Sequence, residues 1–196
     1  MPRIAEARQP AEPSSPEQKE RYGRILRAAA RHGAEKGLER MQMHDVAKDA
    51  GVAIATLYRY FPSKTHLFTS LMAVRVDQLS ERMAQTPPGT PAAEAVAGLL
   101  VQAGRDLLAR PLLAHAMVQS NNASVAQHGS AVTKVFADLI LQMLGIDDPD
   151  EGQDRLVRIT EAAWYGILIS ALNGHITTEQ AEEDTRVACH RLLSDF

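Results

Sequence analysis

Between Met43 and Lys64 the chain carries two short apolar patterns of helical spacing, separated by Gly51 and closed by Pro62, and few folds accommodate that order. Met43, Val46, Ala47 and Ala50 recur at three- and four-residue steps, and Gly51 follows where a left-handed residue lets the chain turn sharply. Ala53 to Phe61 forms the second short helix, ended before Pro62 because a residue preceding proline is pushed out of helical geometry. Two short helices joined at a glycine and followed by an aromatic cluster make a helix-turn-helix. Ala47 and Ala50 are small enough for a close crossing, and Val52 and Leu57 fill the wedge. Ile54, Ala55, Thr56, Tyr58, Arg59 and Tyr60 are then left on the exposed side, an odd mixture to leave in water. Against DNA it makes sense: an aliphatic side chain meets a thymine methyl, a hydroxyl bonds a phosphate oxygen, and arginine neutralises the backbone. The alternative for Tyr58 and Tyr60 is packing under the next helix, where Phe61 belongs.

Helical punctuation governs the remainder. Met1 to Pro16, broken at Pro2, Pro10 and Pro13 and almost without apolar residues, predicts a flexible arm. Ser15-Pro16-Glu17-Gln18 combines an N-cap, a first-position proline and a Gln three residues on, and starts a helix that stops at Gly37. After the short pair, Ser63 caps a helix to about Gln85 with Leu67, Leu71, Val74, Leu79 and Met83 on one side. Further helices are expected from Pro91 to Ala109, Pro111 to Gln119 and Ser124 to Leu144, with Asn121-Asn122 as a joint and Val132 facing inward. Asp148-Pro149-Asp150-Glu151 caps the next, to about Asn173, and Thr177-Thr178-Glu179-Gln180 the last, to about Leu193. No segment has strand period, so the fold class is all-α with about nine helices. The expected domains are an arm at 1–16, a helix-turn-helix unit at 17–64 and a helical effector-binding and dimerisation unit at 65–196.

The 5% aromatic content agrees, since a core of Leu, Ala, Val, Ile and Met favours helix. The net charge of −3 hides an asymmetry: twelve Lys and Arg against eight Asp and Glu through Lys64, then nine against sixteen. A +4 front and a −7 rear suggest one surface for an anion and another with a different task. The lone Cys189 excludes an internal disulfide, and with no signal segment or 18-residue apolar run a cytoplasmic, non-membrane protein is expected.

Met43 through Lys64, and above all Thr56-Leu57-Tyr58-Arg59-Tyr60-Phe61-Pro62-Ser63-Lys64 followed by Leu67, resembles the DNA-binding signature of the TetR family of bacterial one-component repressors. Val52 to Lys64, with Met41-Gln42-Met43 before it and Pro111-Leu112-Leu113 downstream, is similar to actinobacterial repressors of steroid and cholesterol breakdown, which respond to acyl-CoA thioesters. The resemblance implies that Ile54, Ala55 and Tyr58 face base edges and sugar, that Thr56, Tyr60 and Lys64 hold phosphates, and that Arg59 does either. His44 stands where relatives often place a guanine-reading arginine, and a neutral imidazole cannot make that bidentate contact. Ala53 and Ala55 replace the Ser and Gly common in the family, removing a side-chain cap and limiting backbone approach. Lys64 at a helix start opposes the helix dipole, which suggests an external anion. Arg3 and Arg8 in the arm either enter a minor groove or belong to a plain tail.

Operators are usually read by dimers. Leu156, Ile159, Ala163, Ile167 and Ala171 form an apolar stripe wider than one core contact needs, and Ala181, Ala188 and Leu192 extend it, so the last two helices are the expected homodimer interface, with monomer core as the alternative. The resemblance likewise implies a four-helix interface there. An effector pocket between these helices and the DNA unit is expected to be lined by Leu99, Ala103, Leu107, Met117, Val135, Phe136, Leu139, Trp164, Tyr165 and Ile169, with His115, Gln119 and Asn121 as polar groups. That lining favours a large apolar or amphipathic ligand. No cofactor and no metal ligands are expected, because H-E-x-x-H, G-x-S-x-G, Walker and dinucleotide motifs are lacking and His115 and His128 have no neighbours at ligand spacing. The competing readings are a constitutive DNA binder with a packed middle and an all-helical enzyme or carrier. Binding to duplex DNA is expected to fall steeply between about 50 and 200 mM salt, as counterion release demands; anisotropy of a labelled duplex reads this, and a flat response excludes phosphate contacts.

Overall fold

A computed structural model describes residues 10–83, 87, 89–128 and 131–194. Among the described residues there are nine helices and no strand: α1 Pro16–Arg40, α2 Met43–Asp49, α3 Ile54–Tyr60, α4 Lys64–Met83, α5 Ala92–Leu108, α6 Pro111–His128, α7 Ala131–Met143, α8 Glu151–Leu172 and α9 Thr178–Leu192.

The termini follow from local chemistry. Ser15 Oγ accepts from the Gln18 N–H at 3.2 Å while Gln18 Oε1 reaches back to the Ser14 N–H at 2.9 Å. Gly37 (φ 69°) interrupts α1 in a conformation that only glycine adopts without strain, and Gly51 (φ 64°) makes the turn between α2 and α3. Ser63 Oγ accepts from the His66 N–H at 3.0 Å. Reciprocal capping boxes start α8 (Asp150 with Gln153) and α9 (Thr177 with Gln180).

Three expectations need correction. The cap of α8 is Asp150, not Asp148, so Pro149 precedes the cap instead of opening the helix. Asn121-Asn122 is no joint: α6 runs through it, because the side chains face tertiary neighbours, Asn122 Nδ2 donating to the Tyr165 hydroxyl at 2.8 Å, and do not compete for their own backbone. The arm is tied before Pro16, the Ala11 N–H donating to the Arg59 carbonyl at 2.9 Å. Arg3, Arg8 and Gln85, and the side chains of Met83 and Val132, lie outside the described residues.

Two cores form. The first joins α1 to α3 with the start of α4 and the front of α6, around fully buried Ile25, Val46, Leu57, Phe61, Leu67 and Phe68. The second joins the rear of α4 to α5, α7, α8 and α9, where Trp164 stacks on Phe136 at 5.2 Å and donates Nε1–H to the Leu100 carbonyl at 3.1 Å. Met72 and Leu107 pack against both. Of the described glycines, Gly33 of α1 has the least room: an added Cβ would meet Phe68 Cε1 at 2.7 Å and Leu113 Cδ1 at 2.8 Å. Gly33→Ala is therefore expected to destabilise the protein by about 1–3 kcal/mol despite alanine's better helix propensity. Gly98→Ala, with nothing within 4 Å of the new methyl, should stabilise by up to about 1 kcal/mol. Urea denaturation of the two variants checks the contrast.

Candidate nucleic-acid interface and interior cavity

The two short helices are held from behind by α1. Arg24 Nε donates to the Ala50 carbonyl at 3.1 Å, a cation on the C-terminal end of α2. Asp45 pairs with Lys36 at 3.1 Å; Asp49 pairs with Arg31 at 2.9 Å and lies 3.3 Å from His32 Nε2. The hydrogen bond from Lys36 holds the Asp45 carboxyl below the usual carboxylate range, and that from Arg31 does the same for Asp49. Both acids of α2 are thus occupied on the α1 side. The outer surfaces carry His44 and Lys48 from α2 and Ala55, Tyr58 and Arg59 from α3, with Ile54 and Thr56 half-buried. Ala53 caps α3 without any side-chain hydrogen bond.

Two side chains assigned outward by sequence are engaged inside. Tyr60 is only 1% exposed, edge-on to Tyr22 at 5.7 Å, with the Arg59 guanidinium 5.0 Å above its ring and an Arg59 Nη2 donating to its hydroxyl at 3.0 Å. Tyr58 is 48% exposed. Residues two apart on a helix point about 200° apart, so both could not face outward, and Tyr60 follows buried Leu57 at three residues. Lys64 Nζ donates to the carbonyls of Leu38 at 3.3 Å and Glu39 at 3.0 Å, so the charge that opposes its own helix dipole serves the end of α1.

A cavity of about 430 Å³ opens between α4, α5, α6 and α8, with Phe136 of α7 in its wall. Of the side chains named from sequence, Ala103, Leu107, Met117, Asn121, Phe136, Trp164 and Tyr165 line it. Leu99 and Leu139 are packed in the second core instead; Val135 and Gln119 are exposed, and His115 and Ile169 half-buried, none of them in the wall. The reason is helical phase. Leu113, Ala114, Met117 and Asn121 form the cavity side of α6, and His115 and Gln119 lie off it. Sequence reasoning missed the α4 wall, Met72, Arg75, Val76, Gln78 and Leu79, although its three- and four-residue spacing was available. It also missed the charged lining, Arg75, Asp106, Arg110, Arg158 and Glu161, because the pocket was sought by apolarity. Arg75 donates to Gln78 Oε1 at 3.2 Å, and burial pushes the Glu161 carboxyl up. Arg110 and Arg158 are exposed as well as lining, which places them at the opening.

On the rear face, Leu156, Ala163, Ile167 and Ala171 are half-buried and Ile159 is 44% exposed. From α9, Ala181 is buried within the monomer, which corrects its assignment to the interface; Leu192 packs on the second core, Ala188 is half-buried, and Val187, unforeseen, is 50% exposed. Glu182 is bound by Arg105 of α5 and by Arg186, clamping α9 down. Burial pushes the Cys189 thiol up to about 11, leaving it protonated at neutral pH. Among the described residues no group of three His, Cys, Asp or Glu is placed to hold a metal, and no helix is long and apolar enough to cross a membrane.

Known proteins fit this geometry. Residues 25–71 match the family profile described as bacterial regulatory proteins, tetR family, and residues 89–192 that of a tetracyclin repressor-like C-terminal domain. The chain is 33% identical over 185 residues to the HTH-type transcriptional repressor KstR of Rhodococcus jostii strain RHA1, covering 93% of this chain and 87% of that protein. A crystal structure of a TetR transcriptional regulator from Rhodococcus sp. RHA1 superposes with a TM-score of 0.80 at 43% identity, covering 90% of this chain and 97% of the other. Thermus thermophilus FadR, a TetR-family repressor crystallised with lauroyl-CoA, shares the fold at 18% identity, TM-score 0.66, over 88% of this chain and 93% of its own.

The α1–α2 ion pairs yield a pH prediction. Each carboxyl titrates lower when folded than when unfolded, so the pairs stabilise at neutral pH and that stabilisation is lost as the pH falls below the ordinary carboxylate value of about 4. An Asp45→Asn/Asp49→Asn variant should melt below wild type at pH 7, with the gap closing as thermal scans move to more acidic buffer; a gap independent of pH would contradict the pairing.

Proposed function

The chain belongs to the TetR family of DNA-binding, ligand-responsive transcriptional regulators, and from that premise we propose that it is a homodimeric repressor released from its operator by an acyl-CoA thioester with a bulky apolar acyl group. The cavity carries this reading. Its volume of about 430 Å³ lies in the range of small-molecule sites, and its apolar wall with Arg110 and Arg158 at the opening suits an apolar body inside and phosphates outside. The relationship to KstR and the acyl-CoA bound by the fold neighbour FadR support the same ligand class. The pair Asn122 and Tyr165, whose hydroxyl accepts from Asn122 and still has its own proton to donate, offers a hydrogen bond to an oxygen on the acyl group.

In this reading Ile54, Ala55 and Tyr58 meet base edges and sugar, while Lys48, Thr56 and Arg59 hold phosphates, and His44 reads the groove without an arginine's bidentate grip. Ile159 and Val187, the exposed large apolar side chains of α8 and α9 among the described residues, meet their copies in the partner. Ligand in the cavity bears on Leu113, which also abuts Gly33 of α1. Displacing that contact alters the separation of the two recognition helices, which must match about 34–36 Å of duplex. The ligand shifts the equilibrium only by its differential affinity for the bound and released forms.

The test is release of a labelled operator by lauroyl-CoA, a steroid acyl-CoA, the corresponding free acids and CoA alone. The thioesters are expected to release DNA and CoA alone is not. Arg110→Ala/Arg158→Ala should weaken the thioester response by about 10-fold or more, the value of one charge-assisted hydrogen bond, at unchanged operator affinity. Operator binding indifferent to every thioester would support a constitutive repressor instead.

A further inference from the structure

We infer that Glu161 and Tyr165 form a recognition pair for a hydroxyl, so that the ligand of the cavity is an apolar body bearing a neutral hydroxyl group. The inference rests on the effector reading above and names what its ligand carries. Arg158, Glu161, Ala162 and Tyr165 recur at three- and four-residue steps and form the cavity side of α8. Arg158 stands exposed at the opening, and Glu161 lies three residues on, about 4.5 Å along the axis. Other polar groups of the wall are engaged: Arg75 with Gln78 at 3.2 Å, Asp106 with Gln102 at 2.9 Å, and the Trp164 Nε1–H with the Leu100 carbonyl at 3.1 Å. The half-buried Glu161 carboxyl has no hydrogen bond or ion pair among the described residues, and burial alone pushes it up. Tyr165 complements it. Its hydroxyl accepts from Asn122 Nδ2 at 2.8 Å, which leaves its own proton to donate elsewhere.

The surroundings decide which group fits. Residues four apart on a helix are neighbours, so an acceptor, Glu161, and a donor, Tyr165, face the same stretch of cavity. A hydroxyl satisfies both, accepting from Tyr165 and donating to Glu161 in a charge-assisted bond. An anion would be repelled by the carboxylate. A cation would meet three arginines in the wall, Arg75, Arg110 and Arg158, against the two acids Asp106 and Glu161. A plain hydrocarbon would cover the carboxylate without replacing the water that solvates it, a cost that leaves such ligands weak. An ether or ketone would take the Tyr165 proton and still leave Glu161 without a donor.

Trp164, the sole tryptophan of the chain, lies in the wall and reports occupancy by its fluorescence without DNA. The probes are 1-decanol and its isomer 1-methoxynonane, which share an apolar body and an acceptor oxygen and differ in the donor. Wild type is expected to bind the alcohol about 10-fold or more tightly than the ether, the value of a hydrogen bond to a charged group. Glu161→Gln, which keeps a neutral acceptor, should retain a smaller preference, and Glu161→Met, of similar length without that acceptor, should show none. Glu161→Gln should melt at or above wild type, because a carboxyl without a partner contributes nothing to the fold. Equal binding of the two isomers by wild type, failure of both to bind, a preference that survives Glu161→Met, or a lowered melting temperature for Glu161→Gln would overturn the proposal. Lauroyl-CoA that leaves the operator bound while the alcohol preference holds would sink the effector reading and spare this one. Release by lauroyl-CoA with no alcohol preference would do the reverse.

Discussion

The approach of α1 to α4 and α6 at Gly33 is the contact on which the rest of the molecule depends. A side chain there would collide with Phe68 and Leu113, and without that approach the helix-turn-helix would be a separate bead on a linker. With it, α4 belongs to both bodies, Leu71 sitting in the front core and Val76 and Leu79 in the rear one, while α6 adds Leu113 and Met117 to the front core. Leu113 and Met117 also face the cavity. Occupancy of the cavity and the attitude of the DNA head are therefore expressed in one set of packed side chains, and close-packed interiors transmit displacement because they have no slack to absorb it.

Electrostatics divides the chain along the same line. The net charge of −3 says little about partners, because the front excess of cations is sharpened by arrangement. Arg31, His32 and Lys36 bind the two acids of α2 from behind, so the outer side of that helix shows His44 and Lys48. At the rear, Glu182 is consumed internally by Arg105 and Arg186. Charge counted along the sequence becomes a field only after such pairs are subtracted.

What was legible in the sequence was what depends on local chemistry. Ser15, Ser63 and Thr177 cap their helices, and Gly51 turns where a residue at positive φ was required, because caps and turns are decided within a few residues. Asn121-Asn122 defeated the same logic, since a helix carries asparagine when the side chain has a partner elsewhere, here Tyr165 of α8. Tyr60 and Lys64 failed for a related reason: composition marks a tyrosine or lysine as suited to phosphate, but Tyr22 and the carbonyls of Leu38 and Glu39 lie far off in sequence and claim them first. In the cavity, the half found by apolar pattern was the half whose function is to exclude water. The arginines and Glu161 stayed invisible because charged residues at the end of an apolar face look like ordinary solvated surface.

The bond from Lys64 to the end of α1 sets the mechanics of α4. It fastens the first residue of that helix to the head, while Val76, in the cavity wall, lies about 18 Å further along the axis at 1.5 Å per residue. The helix is then a lever with its fulcrum at Lys64 and its load arm at the ligand: a shift of about 2 Å at Val76 becomes a tilt of about 6° at that length. The far stretch of α4 is itself seated in the second core through Val76 and Leu79, so under the proposed regulation the direction of a push on Val76 decides whether the helix tilts or stays seated. Ligands of similar affinity but different shape would thus act as unequal triggers.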